Sequence, residues 1–110
     1  MHAAPSLGEF EQIVQLAILH LGDNAYGVTI GAEITACTRR EPTLGALYTT
    51  LDRLEDKGLV TSRMGSNAAT RGTGERCFVL NAKGLAAITR AQQSYRRLLE
   101  GSELPGLTYA

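Results

Sequence analysis

Tryptophan is absent from this chain of 110 residues, and four tyrosines and two phenylalanines are its only aromatic side chains. So few rings offer no stacking platform for a flat aromatic ligand, which argues against a small-molecule sensor as the main role. Cysteine occurs twice, at Cys37 and Cys77, among small or apolar neighbours. That usage suits reduced thiols packed in a core, not a disulfide framework. Neither cysteine stands at metal-ligand spacing from the other or from His2 or His20, so no metal or cofactor is expected. No apolar run approaches the roughly 18 residues a membrane span needs, and the N-terminus lacks the basic-then-apolar layout of a secretory signal. A cytoplasmic protein with no membrane partner is expected. No carboxylate pair, nucleophile–base grouping or glycine loop ahead of a helix appears, and an enzyme is not expected.

Net charge is also missing, but only in the sum. Residues 1–38 hold four acids and no Lys or Arg, a balance of −4. Residues 39–97 hold all eleven bases against five acids, +6, and Glu100 and Glu103 bring the total to zero. Base confined to one region is the electrostatic footprint of a phosphate-binding surface. Zero overall charge disfavours tight non-specific binding to nucleic acid.

What is present reads as five elements. Ser6 and Glu9 form a capping box, followed by Phe10, Ile13, Val14, Ala17, Ile18 and Leu21 at helical spacing. Leu16 and Leu19 fall on a second face of that helix. After the break at Gly22, a second helix is expected from about Tyr26 or Gly27 to Thr38, with Tyr26, Ile30, Ile34 and Cys37 inward. Residues 39–42 form a short connector or a brief strand. The third helix is capped by Thr43, buries Leu44, Leu47, Leu51 and Leu54, and stops at Gly58. Residues 59–64 and 76–80 read as strands of a hairpin whose tip is rich in glycine. Asn81 caps a last helix from Ala82 to Glu100, closed by Gly101.

Three helices, a hairpin and another helix make a mainly α chain with a small β-hairpin, the winged helix-turn-helix arrangement plus a C-terminal helix. The expected division is residues 1–81 for the winged helix-turn-helix, 82–101 for a dimerisation helix in the same compact unit, and 102–110 for a flexible tail. In this geometry the third helix enters a major groove and the wing reaches the flanking backbone. Gly45, Tyr48, Thr49 and Asp52 face outward in its first turns, with Thr50 and Arg53 at the edges. Tyr48 is expected with its ring on the core and its hydroxyl outward. Thr43, Thr49 and Thr50 can donate to phosphates or base edges. Arg39, Arg40 and Arg53 flank the helix, and Arg63, Arg71 and Arg76 belong to the wing. Taken singly, each arginine is as well explained by a solvated or ion-paired surface. Arg53 is within reach of Asp56. The apolar side of the last helix, Leu85, Ile88, Tyr95, Leu98 and Leu99, would find its cover on a twofold mate together with Leu16 and Leu19.

Three segments carry a family resemblance: Leu21-Gly-Asp-Asn-Ala-Tyr-Gly27, Leu44-Gly-Ala-Leu-Tyr-Thr-Thr-Leu-Asp-Arg-Leu-Glu-Asp-Lys-Gly-Leu-Val60, and Phe78-Val-Leu-Asn-Ala-Lys-Gly84. With them the chain resembles PadR-type transcriptional regulators, winged-helix bacterial repressors, from about Leu7 to Gly101. The resemblance implies a homodimer on a roughly palindromic double-stranded DNA operator, with Tyr48, its helical neighbours and basic wing residues at the DNA. Phe78 stands where the family often has tyrosine, which removes a hydroxyl from the wing. The single short C-terminal helix matches the minimal members, whereas longer members carry an extended dimerisation domain, and a small-molecule effector stays open. The rival from another class is a winged-helix protein-interaction module without DNA binding, favoured if Asp52, Glu55 and Asp56 project from the third helix.

Overall fold

The computed structural model describes residues 7–64 and 76–102. Helix α1 runs Glu9–Leu21, a 3-10 turn Gly22–Asn24, α2 Gly27–Thr38, α3 Leu44–Asp56, strands β1 Val60–Met64 and β2 Arg76–Leu80, and α4 Ala82–Glu100. The start of α1 differs from expectation. Gly8 is the N-cap, its N–H donating to Glu11 Oε1 at 2.9 Å, and Ser6 lies outside the described residues. At α2 the Tyr26 N–H donates to Thr29 Oγ1 at 2.9 Å. Thr43 Oγ1 accepts from the Ala46 N–H at 3.1 Å, the cap read from sequence. Asn81 acts twice. Its Oδ1 accepts from the Gly84 N–H and its Nδ2 donates to the Gly58 carbonyl, each at 2.8 Å, so it starts α4 and ties it to the end of α3.

The connector 39–42 forms no strand, and Arg39 closes α2 in the left-handed region at φ 65°. The strands pair antiparallel in the register Val60↔Leu80 to Met64↔Arg76, and Tyr26 adds a bridge to Cys77 on the other side of β2. The segment before α2 thereby docks β2 against the helices.

Val14, Ile18, Ile30, Ile34, Leu47, Leu51, Leu54, Leu59 and Phe78 meet in one core. Three assignments change sides. Cys37, expected inward, is exposed at the end of α2. Leu44 is 55% exposed, because it opens α3 beyond the reach of α1 and α2. Thr50 is only 6% exposed, its hydroxyl donating to the Ala46 carbonyl at 3.1 Å. A threonine that satisfies its own oxygen one turn back can take a buried position that leucine would otherwise fill. Gln15, inside α1, is wholly buried and donates from Nε2 to the Gly84 carbonyl at 3.2 Å. Where α4 crosses the Leu59 carbonyl, only glycine fits: a Cβ on Gly84 would stand 2.0 Å from that oxygen. Among the described residues no helix is long and apolar enough to cross a membrane.

Candidate nucleic-acid interface

The outer face of α3 is built from short side chains. Thr43, Gly45 and Thr49 are exposed, and nothing lies within 4 Å of where a Gly45 Cβ would stand, so that position is an open notch. Tyr48 is half-buried. Its ring centroid lies 6.4 Å from that of Phe78, and its hydroxyl covers Gly27, where an added Cβ would meet the phenolic oxygen at 2.2 Å. The hydroxyl expected to stand clear of the protein thus rests on the first turn of α2. Phe78 itself is fully buried, so its ring serves the core and leaves the wing surface to its neighbours.

Arg76 decides how α3 and the wing relate. From β2 it donates to Asp52 Oδ1 and to Glu55 Oε1, both at 3.0 Å, and its guanidinium carbon lies 5.1 Å from the Phe78 centroid. A cation over a ring face adds to the two charged hydrogen bonds. Ser62 on β1 completes the set, donating to Glu55 Oε2 at 2.8 Å. Arg76, expected as an outward wing residue, is instead a strap between β2 and α3, and Glu55 and Asp52 are held by it. Arg40 is engaged with Glu9 on α1. Arg53 forms no ion pair with Asp56; it, Arg39 and Arg63 are exposed and pair with no acid among the described residues. Arg71 lies outside the described residues.

A polar cluster missed by the sequence reading fixes α3 from behind. Lys57, at the C-cap, donates to both Glu11 oxygens at 2.8 Å. Burial pushes the Glu11 carboxyl up, but the Lys57 and Gly8 hydrogen bonds and the charges of Lys57 and Arg53 outweigh it and hold the group below its ordinary value. Glu11 falls beside the apolar stripe of α1, and nothing local marks it as the partner of a residue 46 positions on.

Among the expected dimer residues, Ile88 is 2% exposed and belongs to the chain's own interior. Leu16, Leu19, Leu85, Tyr95 and Leu98 remain exposed, and Leu99 is half-buried. A groove of about 250 Å³ lies between α1 and α4, bordered by Leu16, Leu19, Thr89, Gln92 and Arg96.

Three packed helices, a two-stranded wing and a terminal helix define a winged helix-turn-helix protein. The sequence matches the Transcriptional regulator PadR-like family over residues 16–90. The chain belongs to that family of transcriptional regulators. No curated protein matches it. Two solved structures share its fold, the complex structure of hsRosR-S4 and the complex structure of hsRosR-S1. The first has a TM-score of 0.67 at 23% identity, covering 91% of this chain and 80% of that one. The second has 0.66 at 23% identity, covering 87% and 79%. Sharing so few residues, they speak to the fold alone.

Proposed function

We propose that the protein is a sequence-specific DNA-binding repressor that occupies a palindromic operator as a homodimer. The observation that carries this reading is the outer face of α3: a capped N-terminus with Thr43, Gly45 and Thr49, its later acids held by Arg76. Small side chains let a helix sit deep in the major groove, whose width of about 12 Å admits one. The N-terminal partial charge and the threonine hydroxyls face phosphate, and Arg39, Arg53 and Arg63, which form no ion pair among the described residues, supply cations alongside. Arg71 in the wing is the further contact. Since Asp52 and Glu55 are held by Arg76, the acidic surface that favoured a protein-interaction module is diminished. Leu16 and Leu19 on α1 with Leu85, Tyr95 and Leu98 on α4 form the twofold interface, Ile88 being withdrawn into the protomer.

Fluorescence anisotropy against the DNA upstream of its own gene and against a scrambled duplex, at two salt concentrations, tests the reading. Selective binding that weakens as salt rises is expected, because released counterions drive phosphate contacts. Equal affinity for both duplexes returns the interaction module to the front. Gly45→Glu is the sharpest variant, since the notch is open and the fold tolerates a side chain there. It should abolish selective binding without lowering the stability of the fold. Arg71→Ala should weaken binding, and Tyr48→Phe isolates the hydroxyl without emptying the space its ring fills. Unchanged affinity in all three removes α3 and the wing as the interface.

A further inference from the structure

The end of α1 and the outer side of α2 bring a histidine, a carboxylate and a thiol to one point. His20 Nδ1 lies 2.8 Å from Glu33 Oε2, and Cys37 Sγ lies 3.5 Å from the same oxygen. The three ligating atoms all lie within 4.8 Å of one another. Glu33 and Cys37 are four apart on α2 and share a face, while His20 arrives from the last turn of α1. The sequence does not advertise the set, because its two soft donors are separated by most of α2 and a turn.

We propose that His20, Glu33 and Cys37 form a zinc(II) site that joins the end of α1 to α2. With bonds of about 2.0 Å to nitrogen and oxygen and about 2.3 Å to sulfur, the ligating atoms of a tetrahedral zinc stand about 3.3–3.6 Å apart. The Cys37–Glu33 spacing already meets that value, and the His20–Glu33 pair opens by about half an ångström to do so. His20 can move that far. Its side chain is 71% accessible and fixed by the contact with Glu33. One thiolate, one imidazole and one carboxylate suit zinc or cobalt, whereas magnesium and calcium take oxygen donors. Coordination replaces the Cys37 S–H bond with S–Zn, the proton leaving to solvent, and water takes the fourth position. The set borders a cleft of about 400 Å³ lined chiefly by Ile13, Leu16, Ala17, Leu19 and Ile34, so one side of the ion faces apolar surface. Cys77 has no part in the site, being buried on β2.

The alternative is an exposed acid–imidazole pair with a thiol beside it, and cobalt distinguishes the two. The full-length chain, reduced and metal-free, is titrated with Co²⁺ and followed by absorption. One equivalent should bind, giving a sulfur-to-cobalt charge-transfer band and the intense visible bands of tetrahedral cobalt, both erased by added Zn²⁺. Cys37→Ser should remove the charge-transfer band, and His20→Ala should weaken binding by about tenfold or more. Both positions are exposed, so circular dichroism should be unchanged. No charge-transfer band in the parent protein, a band that survives Cys37→Ser, or affinity unaltered in His20→Ala overturns the site.

Discussion

Helices α3 and α4 carry the same kind of apolar stripe and end in opposite conditions. On α3, Leu47, Leu51 and Leu54 are sealed inside the chain, under α1, α2 and the hairpin. On α4, Ala87 and Ile88 are covered, but Leu85, Tyr95 and Leu98 remain 48%, 50% and 71% exposed. The difference comes from neighbours. Periodicity says that a face is apolar; only the elements packed against it say what covers it. The exposed stripe on α4 is the surface that the proposed twofold mate would cover.

Truncation at the two stripes should break or uphold that contrast most plainly. Leu51→Ala, in the sealed stripe, should cost about 3 kcal/mol in urea unfolding through lost burial and a cavity. Gly84→Ala should follow at about 2–3 kcal/mol, because its methyl meets the Leu59 carbonyl and α4 must lift away. Leu98→Asp should leave a dilute protomer as stable as the parent. If the proposed dimer forms through this face, sedimentation should show it dissociating at about tenfold lower dilution, about 1.4 kcal/mol. Comparable losses of unfolding stability in Leu51→Ala and Leu98→Asp would erase the distinction between the helices.

A smaller effect sharpens the anchoring of α3. The folded-state Glu11 carboxyl titrates below its ordinary 4.5, so its stabilisation is complete above that pH and lost as pH falls through the lowered value. Glu11→Gln should be less stable than the parent at neutral pH by about 1 kcal/mol, the gap closing as the solution is acidified below about pH 4.5. A gap independent of pH would remove the ion pair as its cause. Smallest of all, Gly45→Ala should raise stability by about 0.5–1 kcal/mol, since alanine costs less backbone entropy in a helix and meets nothing there. Thermal unfolding reads it directly.

Much of this architecture is legible in the residues. Thr43 and Asn81 carry their caps in their own side chains, Gly58 takes the positive φ of 74° its place demands, and β2 covers Arg76–Leu80, the span expected from its β-branched and aromatic residues. The misreadings share one physical origin. Leu44 and Thr50 sit on opposite edges of the α3 stripe, and which edge turns inward depends on how α1 and α2 lie across it. Cys37 continues the inward spacing of Ile30 and Ile34 but lies one turn past the core's end. Gln15 and Glu11 look misplaced until Gly84 and Lys57, 69 and 46 positions away, are brought beside them. Arg76 follows the same rule. Its partners on α3 are 21 and 24 residues earlier, too far for local spacing to reveal.

The Arg76 strap also bears on motion. With one guanidinium bonded to Asp52 and Glu55 of α3 and resting on Phe78, the loop end of the hairpin's paired strands and α3 have little freedom to swing independently. A partner approaching this side meets a single stiff surface whose internal angle is set beforehand, so the entropy of fixing that angle is lost during folding and not again at encounter.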